Sequence, residues 1–224
     1  MASGVRSIQF LFRNVLAVAL VGCLTALALG TRAMAAEETP DYQVLETAAD
    51  NIEIRAYPPL LLAEVVVTGN RNEAANQAFR ILAAFIFGEN TPQEEIAMTA
   101  PVTQARAEKI AMTAPVTQEP AESGGWTVAF MMPSKYTLAT LPKPTDPRIV
   151  IRETEPRKKI AIRFSGRMTD ENMNKHRDRL RAYMDEQGLT PAGPATFAYY
   201  NGPFTPFFLR RNEVIYDLAD DSAV

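Results

Sequence analysis

The chain has 224 residues, 23 of them basic and 26 acidic, for a net charge of −3. Its first 35 residues hold three of those arginines and no acid, so the remainder carries −6, a balance that disfavours a nucleic-acid partner. The single cysteine, Cys23, also falls in that stretch, which leaves the rest of the chain without disulfides, thiolate metal sites or a cysteine nucleophile.

Arg6 and Arg13 precede an apolar run over residues 15–30 that closes on Ala33, Met34, Ala35 and Ala36, the pattern of a secretory signal peptide. That run of 16 residues is short for a membrane-spanning helix, and Ala33-Met34-Ala35 fits an A-x-A cleavage site. Residues 1–35 are therefore expected to be removed, leaving a periplasmic or secreted protein that begins at Ala36 or Glu37. A retained anchor is one alternative, and lipidation of Cys23 is another. Against the second, residues 24–29 stay apolar where a lipidated cysteine would open a polar tether. Attachment to a membrane is expected only through this segment, if uncleaved or lipidated. The residues that remain are enough to bury the core of one domain and few for two.

Residues 36–41 are polar and read as a tether to a domain over residues 42–219. Residues 42–47, 52–57 and 60–68 predict three strands, the last stopped by Gly69. Residues 73–87 then place Ala75, Ala78, Phe79, Leu82, Phe85 and Ile86 at helical spacing ahead of Gly88. Residues 126–132 and 149–153 read as strands around a proline-marked loop at 133–147. A second helix opens on Thr169 as N-cap, with Asp170 and Glu171 facing the positive end of the helix dipole. Its apolar face is Met173, Leu180, Tyr183 and Met184, it ends near Gly188, and strands at 195–200 and 214–218 follow.

A shift of 97 residues aligns residues 52–69 with 149–166 without a gap. Ile52/Ile149, Ile54/Ile151, Arg55/Arg152, Pro59/Pro156 and Gly69/Gly166 are identical pairs, and a helix follows each copy. This predicts an α+β fold made by duplication of a strand-strand-helix-strand-strand unit, with halves at about 42–132 and 149–218. Two such units bury both apolar faces by curling into a distorted antiparallel β-barrel with two flanking helices. A shorter repeat lies inside the first half, where IAMTAPVTQ occurs at 96–104 and again at 110–118. Its prolines exclude a helix, so it reads as two extended edges joined by a turn at 105–109.

In this segment the chain resembles the SOUL haem-binding proteins. WTVAFMMPSKY at 126–136, LPKPTDP at 141–147, FAYYNGPFTP at 197–206 and the strand pair at 42–57 match that family in order. The resemblance implies a pseudo-twofold barrel with a helix on each side, similar to the ligand-binding domains of some bacterial drug-sensing regulators. It also implies binding of haem or a related tetrapyrrole in an apolar groove. Where members of the family have been assigned an axial histidine, it lies in the N-terminal half, which has none here.

The chemistry-bearing residues argue against catalysis. There is no Gly-rich phosphate loop and no GxSxG elbow, and the acidic pairs Glu94-Glu95 and Asp220-Asp221 read as solvated surface. The only histidine, His176, shares the apolar face of the second helix, and its counterpart under the 97-residue shift is Phe79. It reads either as an axial haem ligand or as a half-buried histidine bonded to a neighbour. Methionines 98, 112, 131, 132, 173 and 184 read as core fillers. By residue type, Tyr183, Tyr199 and Tyr200 are candidates for iron or propionate contacts, and Arg55, Arg152 and Arg163 for propionates. Phe204, Phe207 and Phe208 form a candidate apolar lip for a planar ligand. The expectation is a non-catalytic haem binder; the alternative is a module of the same fold that holds another hydrophobic molecule or a protein.

Overall fold

In the computed structural model, which describes residues 37–48, 51–93, 107–202 and 204–219, period-2 alternation builds one large antiparallel sheet. Its strands are β1 (Gln43–Ala48), β2 (Ile52–Tyr57), β3 (Leu61–Val67), β5 (Val116–Pro120), β6 (Trp126–Met131), β8 (Val150–Glu153), β9 (Arg157–Phe164), β10 (Thr196–Tyr199) and β11 (Asn212–Asp217). They lie in the order β1-β2-β9-β11-β10-β5-β6-β3-β8, and a short pair, β4 (Asn90–Thr91) with β7 (Lys143–Pro144), stands apart. The two helices are α1 (Arg71–Phe87) and α2 (Asp170–Gln187). The expected signal segment, Ala49 and Asp50, the first IAMTAPVTQ copy, Glu94-Glu95 and Asp220-Asp221 lie outside the described residues. The second copy supplies buried Ile110 and Ala114 and most of β5.

Apart from β1, the strand order is symmetric about the β10–β5 pair, and that symmetry matches the duplication read from the sequence. Each first strand crosses over. β2 pairs with β9 of the other half, and β8 pairs with β3. In consequence Ile52 and Ile54 pack under α2 with Ile160, Ile162, Met173 and Leu180, while Ile149 packs under α1 with Val65, Leu82, Phe85 and Val128. Both helices cover the same face of the sheet, and the opposite face is left concave.

The expected barrel is corrected to an open sheet. β1 and β8 stand at its two ends, unpaired on their outer sides among the described residues. β1 is solvent-exposed along most of its length and its register slips between Val44 and Glu46, a bulge of the kind that blunts an edge against further pairing.

α1 begins at Arg71, two residues earlier than its apolar period suggests. Asn70 caps it: its side chain accepts from Glu73 N at 3.0 Å, and the Glu73 carboxylate accepts from Asn70 N at 3.4 Å. This capping box is worth about 1 kcal/mol. Arg71 then ties the two helix starts together. Its Nε donates to Asp170 Oδ1 at 2.7 Å, and its Nη1 and Nη2 donate to Tyr199 OH at 2.6 Å and Met168 O at 3.1 Å.

A cleft on the concave face as candidate functional site

Opposite the helices, alternation sends Leu62, Thr117, Ala129 and Met131 inward, and Ala161 and Ala198 are buried in a small cluster with Ala114, Tyr200 and Ile215. The result is a cleft of about 310 Å³ with Leu60, Leu62, Ala129, Met131 and Ile215 as apolar lining. Pro40 of the tether and Pro115 of the second IAMTAPVTQ copy also line it. The tether is fixed there by a bridge between Glu38 and Thr113, and the Glu38 carboxylate accepts from Ser134 N at 2.8 Å.

Tyr57 and Tyr200 close one end of the cleft over a buried polar cluster. Arg55 donates from Nη1 and Nη2 to the two carboxylate oxygens of Glu213 at 2.8 and 3.1 Å, and from Nε to Glu53 at 2.8 Å. Arg211 Nη2 and the Tyr200 hydroxyl donate to the same carboxylate at 2.7 and 2.9 Å. Arg55 is 1% exposed and Glu213 0%. Burial raises the Glu213 carboxyl, but the bonds and charges of Arg55 and Arg211 outweigh it and hold the group below the usual carboxylate range. Burial pushes Tyr57 up to about 12, and burial together with the Glu213 charge pushes Tyr200 up as well. Both phenols therefore stay protonated at neutral pH and are poorly suited to ligate iron as phenolates.

Three cations stand along the cleft: Arg152, Lys159 and Arg157. Arg152 Nε donates to Glu64 at 3.0 Å and Lys159 pairs with Asp217 at 2.7 Å, while Arg157 forms no ion pair among the described residues. The lining thus pairs an apolar floor with basic groups at its margin, which suits the body and carboxylates of a tetrapyrrole. Met131 is the soft donor in that lining, and no histidine faces it.

The residues singled out from the sequence do not converge on one site. His176 is on α2, on the helical side of the sheet. Its ring stacks on Phe164 at 3.8 Å and 5°, and its Nδ1 lies 2.8 Å from the Asn172 carbonyl, which makes Nδ1–H the donor. Phe79, 41% exposed on α1, meets Phe130 edge-on at 5.5 Å. Tyr183 is half-buried against the core under α2. Arg152 does line the cleft, as does Tyr200, whereas Tyr199 serves Arg71. Arg55 is corrected from a propionate partner at a strand end to a buried structural ion pair, because its guanidinium is already consumed by Glu213, Glu53 and Tyr57. Phe204, Phe207 and Phe208 are exposed, and none of them lines the cleft. Sequence reasoning missed Glu213, Tyr57, Arg157 and Lys159. Only a charge inside an otherwise apolar strand, as in NEVIYD, hinted at the first.

Among solved structures the fold is similar to the C-terminal domain of EcmrR, at a TM-score of 0.52 and 8% identity, over 80% of this chain and 98% of that one. It is also similar to EcmrR in a complex with DNA, at 0.53 and 9%, over 95% of this chain and 68% of that one. A hydrolase from Listeria innocua aligns at 0.44 and 9%, over 83% of this chain and 94% of that one. At such identities the two EcmrR likenesses speak for the fold alone. No curated protein matches the chain. The model of the SOUL haem-binding proteins matches residues 37–217, which takes in every strand and both helices, and the chain belongs to that family.

Proposed function

We propose that the protein binds haem or a related tetrapyrrole without transforming it, with the macrocycle on the apolar lining of the concave cleft and its carboxylates at Arg157, Arg152 and Lys159. The observation that carries this reading is an apolar floor bordered by Arg157, which forms no ion pair among the described residues. Membership of a haem-binding family supports the ligand class. Retention rests on buried area rather than on an iron bond: about 25 cal/mol per Å² of apolar surface supplies several kcal/mol over a porphyrin face. A second reading, another hydrophobic ligand carrying a positive charge, is favoured by one feature. Glu64, Glu119, Glu153, Glu155 and Asp217 outnumber the cations in the lining.

Titration with haemin, followed at the Soret band, tests the proposal. Saturable binding is expected in the parent, with a loss of about tenfold or more in Met131→Arg and a smaller loss in Arg157→Gln. His176→Ala is expected to leave the spectrum unchanged while lowering stability by about 1–3 kcal/mol, from lost stacking and a lost hydrogen bond. A Soret shift abolished by His176→Ala or by Phe79→Glu, with Met131→Arg unaffected, would move the ligand to the helical side and overturn this site. Non-saturating absorbance in the parent would overturn tetrapyrrole binding itself.

A further inference from the structure

The loop between β10 and β11 is apolar where loops are ordinarily polar. Phe204 is 98% exposed, Phe208 62% and Leu209 65%, with Phe207 also exposed on a short 3-10 turn, Phe207–Leu209. They do not line the concave cleft, so the ligand site does not account for them. The loop is nonetheless built rather than loose. Phe207 O accepts from Gly166 N at 2.9 Å, Arg210 Nε donates to Thr205 O at 2.8 Å, and Phe207 and Phe208 pack edge to face at 5.5 Å. A second observation comes from charge. The two segments that meet here, 163–168 and 201–210, contain Arg163, Arg167 and Arg210 and no acidic residue, in a chain whose net charge is −3, and Arg163 and Arg167 are exposed. The Arg167 guanidinium lies 5.2 Å from the Phe207 ring centroid, beside the apolar residues rather than away from them.

Exposed aromatic and aliphatic side chains beside exposed arginines match the chemistry of an anionic bilayer surface. The rings enter the headgroup–acyl boundary while the guanidiniums meet lipid phosphates and acidic headgroups. We propose that the Phe204–Leu209 loop is a peripheral docking surface for membranes containing anionic lipid. The proposal is independent of tetrapyrrole binding and of residues 1–36. The concave cleft lies elsewhere, so both surfaces can be occupied together.

The test is flotation with lipid vesicles of the chain from Glu37 onward, a compact unit that contains the cores under both helices and the whole family match. Phosphatidylcholine vesicles are compared with the same lipid carrying about 30% phosphatidylglycerol, at low and high salt. Binding to the anionic vesicles that weakens in salt is expected. It should fall about tenfold or more in Phe204→Ser with Phe208→Ser, and severalfold in Arg167→Gln with Arg210→Gln. Unchanged far-UV circular dichroism and melting temperature would show that both variants stay folded. Equal recovery with neutral vesicles, no flotation by the parent, or undiminished flotation by the phenylalanine variant overturns the proposal. So does sedimentation showing a dimer that those substitutions dissociate when no vesicle binding occurs, since the patch would then serve a second copy.

Discussion

At the scale of single residues, the Arg55–Glu213 pair dominates, because both groups are out of water and each depends on the other. Glu213→Gln leaves Arg55 buried with half its countercharge gone and is expected to cost about 3–5 kcal/mol at neutral pH. The sign of the pH dependence follows from the direction of the shift. A carboxyl held below its unfolded value contributes stability that is complete above about pH 4.3 and is lost as pH falls through the folded value. At the alkaline end, Tyr57, pushed up to about 12, keeps its contribution below pH of about 10 and loses it as pH rises toward 12. Urea midpoints measured across pH should therefore show an acid limb that Glu213→Gln flattens. An unchanged acid limb with parental stability at neutral pH would sink the assignment. Little of this was legible beforehand: the apolar alternation of IEIRAY locates Arg55 on a strand, but its partner lies 158 residues away and only the strand crossover brings them together.

At the scale of elements, local chemistry decided most boundaries, and the glycines of the β5–β6 turn test that directly. Gly124 and Gly125 both sit at positive φ, +86° and +84°. A Cβ on Gly124 would meet open space, whereas one on Gly125 would lie 2.4 Å from Val67 O at the end of β3. Gly124→Ala should thus cost only the left-handed backbone penalty, about 1–2 kcal/mol. Gly125→Ala adds a clash with a backbone carbonyl and should cost more, about 2–4 kcal/mol, because the Val67–Trp126 pair must shift. Equal denaturation midpoints for the two variants would refute this account. The strands were readable because apolar residues alternate within them, as Ile52 and Ile54 do in β2, and the burial of β3 alternates over its whole span. The start of α1 was less so: Arg71 and Asn72 carry no apolar period, and the Asn70–Glu73 capping box is the signal that marks it. The cleft was not readable at all. Its floor depends on which strands end up adjacent, and inward Thr117 and Ala129 have no distinctive pattern in sequence.

At the scale of the whole molecule, the duplication gives two cores but not two independent halves. Because β2 and β8 have exchanged sides, the core under α2 is completed by Ile52 and Ile54 of the first repeat, and the core under α1 by Ile149 and Ile151 of the second. Trp126, the only tryptophan, packs against both. Neither helix can lose its strands without exposing part of the other's core, so unfolding should be a single transition despite the internal repeat. Leu82 and Leu180, both 0% exposed, are the natural probes, one in each core. Leu82→Ala and Leu180→Ala should each lower stability by about 2–5 kcal/mol and shift one common transition. Trp126 fluorescence and far-UV circular dichroism should report the same midpoint in the parent and in both variants. If Leu82→Ala split the curve into two steps, with Trp126 following only one of them, the halves would be separable and the crossover would not couple them. The expectation of one step rests on the pairing itself. β2 with β9 and β8 with β3 are continuous antiparallel ladders between the repeats, and breaking either exposes backbone groups as well as isoleucine side chains.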